Sequence, residues 1–222
     1  MPKVRFLTQD GVTIVGEHRP GPQGAPAALL LHMMPATKES WEPLAAALAG
    51  RGFATLAIDL RGHGESVVGE GGEKLDYKAF DDAAHQAKVF DVDAAMRWLA
   101  EQGTPASRTA LVGASIGANL AIAWAAAHPE VPAAVALSPG LDYHGVTTEA
   151  AAKAMPREQK LLLAASDDDG YSFESVQTLA EADPNAEVQR LSAAGHGTRM
   201  FEARPDLLEY VVEWIVRNTV RS

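Results

Sequence analysis

A mostly parallel central sheet, with helices on both faces and an antiparallel hairpin at its start, is the α/β architecture that this sequence predicts. Three observations point there. Short continuous apolar runs at Ala27–His32 (AALLLH), Phe53–Leu60 (FATLAIDL) and Thr109–Val112 (TALV) read as strands buried on both faces. Stretches with helical spacing of apolar residues lie between such runs, as parallel strands require a crossover. Ahead of them, Val4–Thr8 and Val12–His18 flank Asp10-Gly11, a dipeptide suited to a two-residue hairpin turn.

The elements follow in order. A Pro- and Gly-rich loop, Arg19–Pro26, leads into the first buried strand. Ser40 stands as the N-cap of a helix from Trp41 to about Gly50, with Gly52 just past its end. Phe53–Leu60 gives way to the polar loop Arg61–Lys74. A long helix follows from about Ala79 to Glu101, where Val89, Val92, Met96 and Leu99 keep helical spacing. Thr109–Val112 precedes a helix over Ser115–His128, stopped before Pro129. Ala133–Leu137 and Leu161–Ala165 are further strands. Phe173–Ala182, Val188–Leu191 and Leu207–Val216 complete a helix, strand, helix sequence, and the last helix has a broad apolar face. With no internal repeat and no long linker, residues 1–222 read as one domain. Only the 20 residues Gly140–Gln159 separate the strand ending near Ser138 from the next, room for one helix but not for a multi-helix cap.

Composition narrows the function. A net charge of −10 argues against a general nucleic-acid surface, which needs basic groups to neutralise phosphates. The absence of cysteine removes disulfides, thiolate catalysis and Cys-based metal sites. No apolar run approaches membrane-span length and the N-terminal segment lacks a signal-peptide core, so a cytoplasmic protein without membrane insertion is expected. Gly64 and Gly69 have the spacing of a phosphate-binding loop, but Glu70 stands where a lysine is needed. No His/Asp/Glu cluster has metal-ligand spacing, and neither metal nor cofactor is expected.

Gly113-Ala114-Ser115-Ile116-Gly117 reads G-x-S-x-G at a strand-to-helix boundary. Glycines two residues either side of a serine relieve crowding where strand and helix approach, and the turn lifts the hydroxyl to a helix N-terminus. A plain N-cap serine is the alternative. A nucleophilic serine needs a base, and the base an orienting acid, in the chain order Ser, acid, His on this kind of sheet. Of the seven histidines, His18, His32, His63 and His85 precede the serine. His128 lies at the far end of its helix, and His144 follows the next strand with no acid-bearing strand between. His196, between Gly195 and Gly197 after the last strand, remains. The acid then comes from "AASDDDGYSF": Asp169 is the choice and Asp168 the reserve, with the other carboxylates capping the helix that follows.

With these residues in place the chain resembles the α/β-hydrolase family over essentially its whole length, as a small lidless serine esterase. Gly113–Gly117 resembles the nucleophile elbow. "LLLHMMPATKESW" resembles the His-Gly-x-Gly-type loop, "IDLRGHGES" the Asp-x-Arg-Gly-His-Gly-x-Ser segment of esterase-like members, "ASDDDGYS" the acid segment and "GHGT" the histidine segment. The resemblance implies a triad of Ser115, Asp169 and His196. It also implies an oxyanion hole from the backbone N–H of Ile116 and of Met34, with Met33 as the other candidate. Met33, Met34 and Pro35 replace the usual glycines and suggest an apolar, adaptable lining. His63 and Asp59 are expected to order the surroundings rather than transfer protons. Serine at the elbow sets the chain apart from the haloalkane dehalogenases, with aspartate there, and the dienelactone hydrolases, with cysteine. The expected function is hydrolysis of carboxylic esters with short acyl chains, since the missing cap implies an open, shallow site. A thioesterase, amidase or peptidase with the same triad, a low-turnover ligand receptor and an interaction scaffold are the other readings.

Overall fold

A computed structural model describes residues 2–220. Its strands are β1 (Lys3–Leu7), β2 (Thr13–Arg19), β3 (Ala27–Leu31), β4 (Ala54–Ile58), β5 (Thr109–Ala114), β6 (Ala133–Leu137), β7 (Asp142–Tyr143), β8 (Val146–Thr147), β9 (Lys160–Ser166) and β10 (Glu187–Leu191). Eight of them form one sheet in the order β1-β2-β4-β3-β5-β6-β9-β10, while β7 and β8 make a separate small hairpin. β1 and β2 pair antiparallel, as do β2 and β4; every other pairing in the large sheet is parallel.

The helices are α1 (Glu42–Ala49), α2 (Asp82–Gln86), α3 (Val89–Glu101), α4 (Ile116–Ala127), α5 (Glu149–Ala154), α6 (Gly170–Ala182), α7 (Met200–Ala203) and α8 (Pro205–Thr219). Strand side chains alternate between two cores. Leu29 and Leu31 of β3 and Leu161 and Leu163 of β9 point to the side holding α3, α4 and α6, where Val92, Leu99 and Leu179 meet them. Leu30 and Leu162 point to the other side, against Leu44 and Leu48 of α1 and Val211 and Ile215 of α8. The central strands are apolar throughout because each face is covered.

Three local expectations change. The β1–β2 loop has three residues, Gln9, Asp10 and Gly11: Thr8 N–H donates to Val12 O, and Gly11 takes φ 77°. Gly11 supplies the left-handed residue that such loops require. Ser40 does not cap α1. It lies inside a 3₁₀ turn, Lys38–Trp41, and donates to Thr37 O, so the helix proper starts at Glu42-Pro43, where proline suits the first turn. The long helix is broken: Tyr77–Ala79 is a 3₁₀ turn, Phe80 is extended, and Asp81 caps α2 by accepting from Ala84 N at 2.9 Å. Asp81 competes with the helix backbone ahead of it, and the apolar spacing begins only at Val89. Between β6 and β9 the chain holds the β7–β8 hairpin as well as the single expected helix, α5.

Candidate functional site

The site lies where the strand order reverses. β3 sits between β4 and β5, and Leu31 is in register with Gly113. The segments that follow the two strands, His32–Met34 and Ser115–Ile116, therefore leave the sheet side by side at its carboxyl edge, where open parallel sheets form clefts.

Ser115 has φ 55° and ψ −123°, a region that costs a residue with a side chain about 1–3 kcal/mol. Hydrogen bonds on both sides hold it there. Its N–H continues the sheet by donating to Leu137 O at 2.9 Å, and its C=O accepts from Ala118 and Asn119 in the first turn of α4. A methyl group on Gly113 would collide with Gly117 O, and one on Gly117 would collide with Leu31 O. The strand–helix approach thus forbids side chains at both positions. The hydroxyl makes no cap hydrogen bond to α4, contrary to the N-cap alternative.

The loop after β3 is braced from below. His32 is fully buried; its Nδ1–H donates to Met33 O at 2.9 Å, and its Nε2 accepts from Leu60 N at the same distance. Burial pushes this imidazole down to about 4, so it is neutral. His63 lies against it, ring centroids 4.9 Å apart, and stacks on Tyr77 at 3.9 Å. Asp59, also buried, accepts from Lys38 N, Lys38 Nζ and Glu65 N. Gly64 has φ 51° and approaches the Asp59 carboxylate so closely that a Cβ would strike it. Arg61 donates to Asp91 and Asp10. Met33 is buried beneath Gly197, in the core shared with α1 and α8, and Met34 is partly buried against the opposite core. Among the described residues, neither the Met34 N–H nor the Ile116 N–H has a hydrogen-bond acceptor in the protein.

The acid and the histidine arrive on adjacent strands. His196 Nδ1 lies 2.6 Å from Asp169 Oδ2. A carboxylate can only accept, so the Nδ1–H donates. The expectation that the neighbouring carboxylates cap α6 is corrected. Asp167 accepts from Ser192 Oγ and Ala193 N, and Asp168 accepts from Gly195 N and Ser166 Oγ. Both clamp the loop carrying His196, because that loop presents free N–H groups after β10. Gly197, at φ 60°, donates its N–H to Ser138 Oγ at 2.9 Å and packs against Met33 and Ala114. The histidine loop is thereby fixed to the residue preceding Ser115.

Sequence reasoning missed Ser138, Ser166 and Asn119. Ser166 Oγ accepts from Ala194 N at 2.8 Å, and Asn119 ties α4 to Gly140 and Val146. Serines directly after β6 and at the end of β9 were the available signal, since strand ends on this edge face the cleft.

A family profile described as alpha/beta hydrolase fold matches residues 26–162. No curated protein matches the chain significantly by sequence. Among solved structures, the esterase Pf2001 of Pyrococcus furiosus superposes with a TM-score of 0.79 at 20% identity, covering 99% of this chain and 93% of that one. The esterase domain of a Rhodothermus marinus protein gives 0.74 at 20% identity, covering 99% of each chain. The alpha/beta hydrolase GrgF from Penicillium sp. sh18 gives 0.79 at 17% identity, with 98% of each chain covered.

Proposed function

Because the chain belongs to the alpha/beta hydrolase fold family, we propose that it is a serine hydrolase of small carboxylic esters, with Ser115 as nucleophile, His196 as general base and Asp169 as its orienting acid. The observation that carries this reading is the 2.6 Å pair of His196 and Asp169, on a loop packed against the strand end that presents Ser115 in a strained turn. The esterases among the similar structures support the same reaction class.

The Ser115 hydroxyl gives its proton to His196 Nε2 as its oxygen bonds to the ester carbonyl carbon. The carbonyl oxygen becomes an oxyanion, met by the unpartnered N–H groups of Ile116 and Met34, each donor being worth about 2.7–4 kcal/mol in such sites. The carbon–alkoxide bond then breaks, and the alcohol leaves with the proton from His196. Water, deprotonated by the same imidazole, attacks the acyl carbon; its bond to Ser115 Oγ then breaks, His196 returns the proton to Ser115, and the acid is released. Asp169 stabilises the imidazolium formed in each half. A groove of about 460 Å³ adjoins the histidine loop; Met33, Phe201 and Leu208 give it an apolar wall for a short substituent, and Ser40, Arg199 and Glu202 give it a polar one. We read the chain as one unit without a sizeable cap, which also favours short acyl chains.

The test is hydrolysis of p-nitrophenyl esters of increasing acyl length by wild type and Ser115→Ala. Turnover of short esters is expected, with the variant losing at least about 10³-fold in kcat while staying folded. Comparable turnover by the variant would refute the assignment.

A further inference from the structure

The three segments that carry Ser115, Asp169 and His196 meet at one buried residue that the reaction above leaves unused. Ser138 stands directly after β6 and is fully buried. The Leu137 C=O, in the same peptide unit as the Ser138 N–H, accepts from Ser115 N at 2.9 Å. The Ser138 N–H donates to Ala164 O at 2.7 Å, on β9, the strand that runs into the acid turn. The Ser138 C=O accepts from Ser172 Oγ at 3.3 Å, in the first turn of α6 beyond Asp169. Ser138 Oγ accepts from Gly197 N at 2.9 Å, next to His196. The first three bonds use backbone groups that almost any residue supplies. Only the bond to Gly197 needs a side chain. The backbone itself would favour none: Ser138 has φ 51°, left-handed geometry that glycine adopts without steric cost. Among the described residues four non-glycine residues have positive φ, and two are Ser115 and Ser138, directly after the adjacent strands β5 and β6. A strained position that keeps its side chain points to a use for that side chain. The other hydrogen bonds that hold residues 192–197 to the sheet run to Ser166 and to the Asp167–Asp169 turn. The Ser138 hydroxyl is what ties the histidine loop to the strand pair that presents Ser115.

Resting on the serine-hydrolase reading, we propose that Ser138 is a positioning residue: by fixing Gly197 to the peptide unit that holds Ser115, its hydroxyl sets the distance and line of approach between His196 and the nucleophile. Asp169 restrains the imidazole ring through Nδ1. Ser138 restrains the backbone from which that ring projects. The two restraints are separate, and the loss of one leaves the other in place. Ser138 touches neither substrate nor reacting atoms and moves no proton.

Ser138→Ala removes the acceptor. Ser138→Gly removes it too but suits the left-handed backbone, so the pair separates loss of the hydroxyl from backbone strain. Each is compared with wild type for kcat and KM on a short p-nitrophenyl ester, for the rate of Ser115 labelling by a fluorophosphonate, and for thermal midpoint. In both variants kcat and the labelling rate should fall about 10–100-fold with KM nearly unchanged, the scale expected when a reacting group is misplaced by up to about 1 Å. Ser138→Gly should melt at or above Ser138→Ala and yet be no more active. Activity that instead follows the thermal midpoint, with Ser138→Gly recovering turnover, would make the role merely structural. That outcome, wild-type kcat and labelling in either variant, or a loss confined to KM would overturn the role of Ser138 and leave the serine-hydrolase reading standing. A wild-type protein inert to both ester and fluorophosphonate would overturn both.

Discussion

Asp167, Asp168 and Asp169 are chemically identical neighbours with different partners, and their roles follow from direction alone. Only Asp169 meets the imidazole of His196; the other two satisfy N–H groups of the loop that carries it. Their charges are therefore not interchangeable. Asp169→Asn should lower kcat by about 10⁴-fold, because an amide cannot hold the imidazole in the Nδ1–H form. Asp168→Asn should stay close to wild type, since its amide oxygen can still accept from Gly195 N. Steady-state kinetics on one short ester checks both, and the reverse ranking would assign the acid to Asp168. The run of three was legible as an acid segment, but which carboxylate turns toward the histidine depends on the turn between β9 and α6, which spacing does not encode.

At the scale of elements, the loop after β3 owes its shape to groups distant in sequence. Lys38 buries its ammonium against Asp59, with Glu39 and Glu65 also in contact. Those carboxylates hold the ammonium above the ordinary lysine range against the opposing effect of burial, which is the largest single influence on it. Replacing Lys38 by Met would leave the Asp59 anion buried beside only N–H donors. Urea unfolding should show a loss of about 3 kcal/mol, at the lower end for a broken buried pair because Glu39 and Glu65 reach solvent. A variant as stable as wild type would show that the pair does not brace the loop. That the segment Ile58–Ser66 orders the surroundings of the site was legible only through its resemblance; Lys38 itself carried no signal, because nothing in TKESW indicates that its lysine turns inward.

Over the whole molecule, buried imidazoles couple stability to pH. Burial is the main cause that lowers His32 to about 4, His63 to about 3 and His85 to about 4. A histidine that stays neutral when folded but protonates when unfolded makes the unfolded state bind more protons as the pH falls below about 6.5. Stability is therefore retained above that value and declines as the pH falls toward about 4. His32 alone accounts for ~2 kcal/mol by pH 5. Lys88, lowered to about 8 chiefly by burial, acts with the same sign at higher pH: stability increases as its ammonium deprotonates in the folded state between about 8 and 10.5. Urea midpoints at pH 7.5 and 5.0 should differ accordingly, and equal midpoints would contradict the neutral burial of these rings. Among the described residues, no helix is long and apolar enough to cross a membrane.

The sequence by itself determined the parallel sheet, its two covered faces and the antiparallel start, because apolar runs, helical spacing and chain order are local or periodic properties. It also placed the glycines around Ser115, since only a close strand–helix approach makes two such positions useful. Tertiary structure decided which carboxylate faces His196, why Ser138 and Ser166 matter, where the helix before α3 breaks, and that a β7–β8 hairpin precedes α5. Those outcomes depend on side-chain direction and on contacts between residues far apart in the chain, and both arise only when the sheet brings its strand ends together.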